Sequence, residues 1–405
     1  MQIYISGVER LLHRHSFALL WAGFVAVCVI ALIKNLGYHL AADTPSYAVG
    51  DLLLNYAGGM ARRGLLGQIA ISLSHAFGGL PWVWAWALGC GLTGILFAFS
   101  IRLFRRLPDD AMFVPLILAP WGLLFYAYDE GAALRKEMLA YLAIVLILQA
   151  MGAQNARRAL IWVMAGSSVF LTALFAHETV VFTAPAPAPA PAQVLAVVLV
   201  AQKWPGLRPR LCVVVAGVGL CAASIVVSLA LLPNPDVEAI CAATRAGCYS
   251  AAKWLGQSTM DNIHYTLETQ SAGDVAMFGG LAPLCALPLL GVRAIGLSRR
   301  QQVLVLAIVV AFVAPLFVLA ADWGRWVQMA LYPLCLVALA GVPDGFVQYR
   351  RILPAWAAVL YVSSWNLMHA HSGLGVRALL MLPALGGIVL ATRLYDKWRD
   401  SRPQI

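Results

Sequence analysis

"QVLVLAIVVAFVAPLFVLAADWGRW", Gln302 to Trp326, decides how this chain is read. Nineteen residues, Gln302 to Ala320, pass without a charge, and then Asp322 and Arg325 stand three apart among tryptophans. An uncharged apolar run of about 18 residues or more is long enough to cross a bilayer. A charge at the centre of such a run costs about 2.5–3.5 kcal/mol. The acid and the base therefore mark the place where a span ends at a membrane surface, or else they are buried for a purpose.

The same pattern recurs along the chain. Its 405 residues are 61% hydrophobic and only 11% charged, more apolar than a water-soluble core needs. Apolar stretches fall at 16–34, 80–101, 111–127, 138–153, 159–176, 179–202, 211–232, 277–296, 302–321, 328–342, 353–366 and 376–393. The expected fold is all-α, a polytopic membrane protein of about twelve transmembrane helices, with residues 1–405 forming a single integral membrane domain. The first run lacks an A-x-A cleavage site and is read as a retained helix. In the sixth, "TAPAPAPAPAQ" carries prolines at 185, 187, 189 and 191. That repeat predicts an extended, polyproline-like segment before a short helix.

Lysine and arginine assign the two sides. With the amino terminus inside and the spans alternating, the inner segments hold 19 of the 28 basic residues, from Arg10 to Arg402. Every inner segment is then basic, which accounts for the net charge of +10 without a nucleic-acid partner. Both termini are expected in the cytoplasm of a bacterial cell, with the chain in the inner membrane. Six cysteines lie in apolar runs and read as buried structural thiols. Cys241 and Cys248 lie in the longest polar loop, where they either close a disulfide in an oxidising periplasm or stand as free thiols. No spacing predicts a zinc site, and no cofactor is expected.

The ionisable residues gather on the outer side. The first outer loop, 35–79, begins a helix at Asp43-Thr44-Pro45, ends it at Gly58-Gly59, and carries a second helix from Leu65 to Phe77. In that second helix Leu65, Leu66, Ile69, Leu73 and Phe77 form an apolar stripe, and its length of about 20 Å is too short to cross. It is expected to lie in the membrane plane. Other outer segments are "YAYDEGAALRKE" (126–137), "AHET" (176–179), the loop 233–276, "ADWGRW" (321–326) and "WNLMHAHSG" (365–373). The loop 233–276 is long enough to act as a lid, and in it Asp261 and His264 either face an acceptor or are solvated. No acid, lysine or arginine falls near the middle of a span.

Arginine offers a planar, permanently charged fork for phosphate oxygens. Arg62, Arg63, Arg135, Lys136 and Arg325 are thus candidate phosphate-binding residues. Asp43 or Asp51 is the candidate base, with Glu178 and His177 as further catalytic candidates and Glu137 and Asp322 in support. Taken singly, each has a plain alternative. Asp322 and Arg325 make an ordinary i,i+3 pair, Trp323 and Trp326 are interfacial anchors, and Arg62-Arg63 meets lipid phosphate. Taken together, both signs of charge abutting apolar helices on one face suit an amphiphilic anionic substrate. A polyprenyl-phosphate-linked sugar, with a glycan or lipid acceptor and membrane lipid around it, is such a substrate.

One span, a long outer loop with in-plane helices and an acid, then many spans: this order resembles the GT-C class of membrane glycosyltransferases. "NYAGGMARRGLLG" (55–67), "HE" (177–178) and "DWGRW" (322–326) are also similar to stretches in multi-pass proteins of bacterial surface-polysaccharide assembly. The resemblance implies a catalytic acid in the first outer loop and a lipid-linked donor whose phosphate is held by basic residues of other outer loops. Asp43 and Asp51 stand eight apart and form no D-x-D or E-x-D pair, which argues against a metal-assisted form. Two other readings stay open. A polymerase or ligase acting on undecaprenyl-diphosphate-linked glycans calls for a large arginine-rich outer loop. A transporter or flippase calls for ionisable residues at mid-depth.

Overall fold

The computed structural model describes residues 45–60, 63–108, 113–123, 125–128, 134–176, 189–230, 235–245, 250–255, 257–295 and 298–350. Ala26, Val29, Ile30, Ile33, Tyr361 and Leu367 are described as isolated positions. The chain is helical along most of these residues. Five helical segments are long and apolar enough to cross a membrane: Pro81–Phe104, Ala156–Ala176, Pro205–Ile225, Ala272–Gly291 and Arg299–Leu319. The expected span at 376–393, and almost all of those at 16–34 and 353–366, lie outside the described residues.

In chain order the helices are α1 (Tyr47–Leu53), α2 (Leu65–Phe77), α3 (Pro81–Phe104), α4 (Val114–Ile117), α5 (Phe125–Tyr128), α6 (Met138–Gln149), α7 (Ala156–Ala176) and α8 (Pro189–Lys203). They continue as α9 (Arg208–Ala230), α10 (Val237–Thr244), α11 (Ser250–Leu255), α12 (Thr259–Thr269), α13 (Ala272–Ala286), α14 (Arg299–Val313), α15 (Leu316–Leu319) and α16 (Trp323–Gly341). The fold is mostly helical, as expected, with one short antiparallel pair of β1 (Val292–Ala294) and β2 (Val347–Tyr349) beside the helices. Val292 faces Tyr349 and Ala294 faces Val347, so the pair ties the chain after α13 to the chain after α16.

The centre is made by α6 and α16. Every residue of α6 is buried, as is nearly all of α16, and a helix that is apolar all round belongs inside protein. Around them pack α3, α7, α8, α13 and α14. Two expected spans differ from their sequence reading. The stretch 111–127 is not one helix: Pro120 and Gly122 separate α4 from α5. Its irregular backbone is covered by protein, with Phe113, Leu116, Ile117, Trp121, Leu123 and Phe125 all buried. The Gln328 side-chain amide donates to the Gly122 carbonyl at 3.3 Å. In the sixth span, α8 takes in Pro189 and Pro191. The first turn of a helix leaves its N–H groups without intrahelical acceptors, so proline loses nothing there. Pro185 and Pro187 lie outside the described residues.

The sidedness assigned by charge gave α3, α6, α8 and α16 the same direction, and their C-terminal ends do gather. Arg106 and Lys203 meet Asp344 at 3.2 and 2.5 Å, and both also donate to the Met151 carbonyl. The ordinary lipid-facing elements are at the rim: α9, α13 and α14 keep Val213, Leu220, Val275, Val303 and Leu304 exposed.

The helices α6 and α7 approach closely at Gly166. A Cβ on Gly166 would stand 2.5 Å from the Ala143 carbonyl oxygen and 2.6 Å from Ile147. Gly166→Val is therefore expected to lower the thermal midpoint of the detergent-purified protein, since overpacking costs about 1–3 kcal/mol. Gly217→Ala, where nothing lies within 4 Å, should leave it unchanged. Equal melting of the two variants would contradict this packing.

Candidate functional site

The site is assembled where α1, α6 and α16 begin. Ser46 caps α1 by accepting from the Val49 amide at 3.4 Å. The helix thus starts after Ser46, whose hydroxyl receives a free N–H, while Asp43 and Thr44 of the expected start lie outside the described residues. It also ends early, at Leu53 and not at Gly58-Gly59. Asn55 takes over there, donating to the Leu53 and Ile240 carbonyls and accepting from the Ala57 amide. Gly58 serves instead as a docking point. Its carbonyl accepts from the Asp236 amide at 2.8 Å, and a Cβ there would strike Asp236.

These bonds stitch the start of the 233–276 loop onto the first outer loop. That loop folds into α10, α11 and α12, and α11 packs on α1 over the helix that carries Asp51. Cys241 is disulfide-bonded, and Cys248 lies outside the described residues. Asp261 is exposed to solvent. It closes a capping box with Ser258, whose hydroxyl and amide hold the exposed carboxylate below its usual range. The helix expected at Leu65–Phe77 is present as α2. Its apolar residues divide: Leu66, Ala70 and Ile71 pack inward, while Ile69 and Phe77 are exposed.

Asp51 is 1% exposed. Arg63 reaches it at 3.3 Å, and Lys136, with no exposure at all, stands 3.8 Å from the same oxygen. Lys136 also donates to the Arg63 carbonyl at 2.9 Å, which fixes the turn between α1 and α2. Leu134, two residues before it, is held in the left-handed region at φ 59°, a costly conformation for a branched side chain. Arg135 lies over the Tyr47 ring at 4.8 Å. Burial pulls the Arg135 guanidinium downward, but Asp322, Tyr47 and Asp51 outweigh it and hold its pKa above the ordinary value.

The third segment is the first turn of α16, ahead of the apolar stretch that starts at Val327. Arg325 pairs with Glu137 at the start of α6 and with Asp322. Asp322 occupies the N-cap position without capping, because its carboxylate turns to Arg325. Burial and the nearby Arg135 push the Arg325 guanidinium down to about 9, which leaves it charged at neutral pH. The two tryptophans are not surface anchors. Both are buried, and their indoles donate to the Phe317 and Ala320 carbonyls, closing the turn between α15 and α16.

Seven of the candidate residues therefore come together: Asp51, Arg63, Arg135, Lys136, Glu137, Asp322 and Arg325. Asp43, Arg62, His177 and Glu178 lie outside the described residues. The seven carry four positive and three negative charges in a setting where Arg135, Lys136, Glu137 and Arg325 are all at most 5% exposed. Among the described residues no group of three metal-ligating side chains occurs. Sequence reasoning missed Tyr47, although it stands four residues before Asp51 and hence on the same face of α1. It also missed Tyr126 and Gln328, which lie beside Arg325 and carry no charge to draw the eye.

Removing one partner of a buried ion pair costs about 3–5 kcal/mol. Arg325→Met is expected to lower the thermal midpoint sharply, and Glu137→Gln added to it should restore part of the loss. Wild-type melting of Arg325→Met would show that the pair does not hold α6 against α16.

Compared with known proteins, the chain matches no family model, no curated protein and no solved structure.

Proposed function

We propose that the protein is a membrane glycosyltransferase. It moves a sugar from a polyprenyl-phosphate donor to a glycan or lipid acceptor at the outer face of a bacterial inner membrane. The observation that carries this reading is the buried, cation-rich cluster at the N-terminal ends of α6 and α16. A charged group inside protein is retained at a desolvation cost of several kcal/mol, and among the described residues four cations against three acids leave an excess that a phosphate would balance.

The cluster supplies what such a transfer needs. The acceptor oxygen bonds to the anomeric carbon as the carbon–oxygen bond to the donor phosphate breaks. The lipid phosphate leaves carrying the electron pair of that bond. Arg63, Arg135 and Arg325 stabilise the charge that develops on it. The acceptor's proton passes to a carboxylate. Asp51 is the preferred base because Arg63 and Lys136, which hold it in the resting site, are the cations that an arriving phosphate would engage. Asp322, the most exposed of the three acids, is its competitor. The exposed apolar residues of α2, Ile69 and Phe77, support an in-plane position next to the donor's lipid.

The test is a mass profile of surface glycans and lipid-linked sugars in cells lacking the protein, complemented with wild type, Asp51→Asn and Arg325→Lys. Arg325→Lys keeps the charge and loses the two-pronged fork. The expected result is one missing sugar, an accumulated polyprenyl-phosphate sugar, and rescue by wild type alone. Complete repeat units accumulating on lipid without long polymer would replace this reading with a polymerase. Full rescue by both variants would remove the cluster from the reaction.

A further inference from the structure

Beneath the charged layer the bundle holds a second polar layer made of uncharged side chains. α6 and α16 run side by side in the same direction. Glu137 meets Arg325 at their starts, and further in Tyr141 meets Tyr332 edge to face, with ring centres 5.2 Å apart. Gln328 lies between Arg325 and Tyr332 on α16, at the spacing that keeps all three on one face. Tyr126, from the irregular stretch ahead of α6, stands next to Gln328, Tyr141 and Arg325. All of these side chains are buried.

Their hydrogen bonds are uneven. The Tyr332 hydroxyl lies 3.4 Å from that of Ser100, and Gln328 donates to Gly122. The hydroxyls of Tyr126 and Tyr141, by contrast, make no hydrogen bond among the described residues, and neither does Nε of Arg325. Tyr126 has both Gln328 and Tyr141 as neighbours, but neither contact has the geometry of a hydrogen bond. Buried polar groups are nearly always satisfied, so three unsatisfied donors in one place call for a missing acceptor. A compact group with several acceptor oxygens and a negative charge is what would meet all three.

We propose that Tyr126 and Tyr141 form the inner wall of the anion site, donating hydrogen bonds to the oxygens of the phosphate that Arg325 neutralises. The inference rests on the reading of the cluster as a lipid-phosphate site. It adds two residues that specify the phosphate and not the lipid chain. Phenol hydroxyls suit this position because they are donors that need not be held charged in a buried layer.

The test measures binding to the full-length protein in detergent with three probes: geranylgeranyl phosphate, the neutral alcohol geranylgeraniol, and inorganic phosphate. Tyr126→Phe and Tyr141→Phe are each expected to weaken geranylgeranyl phosphate binding about tenfold. The alcohol's affinity and the thermal midpoint of the unliganded protein should not change, because the deleted hydroxyls had no partner to lose. Inorganic phosphate binding as tightly as the lipid phosphate, with the same tenfold losses, would support the wall and assign it to a free anion. Wild-type affinity in both tyrosine variants, with Arg325→Lys impaired, would overturn the wall and leave the lipid-phosphate site standing. A lowered midpoint in the unliganded tyrosine variants would also overturn it, since the hydroxyls would then have partners at rest. Wild-type protein that binds neither phosphate would overturn both readings.

Discussion

The arrangement depends on a guanidinium that has been taken out of water. Arg325 stands at the first turn of α16 and reaches Glu137 at the start of α6, so one buried ion pair sets where the two central helices begin relative to each other. Such a pair contributes little net stability over an apolar replacement, but breaking it is costly. Its consequence is therefore register more than strength. With the starts fixed, α6 and α16 lie alongside each other, Tyr141 comes onto Tyr332, and Gln328 comes onto the Gly122 carbonyl that the break between α4 and α5 leaves open.

The opposite end repeats the logic with different parts. Asp344 accepts from Arg106 and Lys203, and both of these also hold the Met151 carbonyl beyond the end of α6. The two ends differ in exposure. Arg106, Lys203 and Asp344 are each about one fifth to one quarter exposed in their side chains, whereas Arg325 and Glu137 are nearly sealed. An exposed pair is screened and serves as a clasp between helix ends. The nearly sealed Arg325–Glu137 pair is screened far less, so its attraction is felt at full strength between the two helix starts.

Much of this was legible because composition and charge obey long-range rules. Apolar run length exposed the membrane character, and the bias of arginine gave α3, α6, α8 and α16 a common direction that their clasped ends share. The candidate residues were legible as a set because charges abutting apolar helices have few inexpensive places to go. What could not be read was local competition. Ser46 captures the free Val49 amide at the start of α1, and Asn55 ends α1 before the glycines do. Pro120 breaks a stretch whose hydropathy alone looks continuous, and protein burial rather than helix geometry makes that break tolerable. Trp323 and Trp326 read as interfacial by type, yet the turn between α15 and α16 leaves carbonyls that only buried indoles reach. Tyr126 and Tyr141 were invisible for a different reason. A tyrosine in an apolar run has the same pattern whether its hydroxyl is satisfied or not, and only three-dimensional neighbours tell the two apart.

Asp322 ties the resting site to the proposed exchange of partners. An aspartate at an N-cap ordinarily accepts from the free amides of the first turn, an interaction typically worth about 1 kcal/mol. Here that interaction is absent, and the carboxylate is spent on Arg325 instead. A phosphate arriving at Arg325 would displace a carboxylate that has a second acceptable position one turn of the backbone away. Glu137 has no such alternative, because it is sealed at the start of α6 and its displacement would strand a buried charge. On the proposed reading the two acids would take different parts: Glu137, 4% exposed in its side chain, would keep the guanidinium in place, and Asp322, at 26%, would give way.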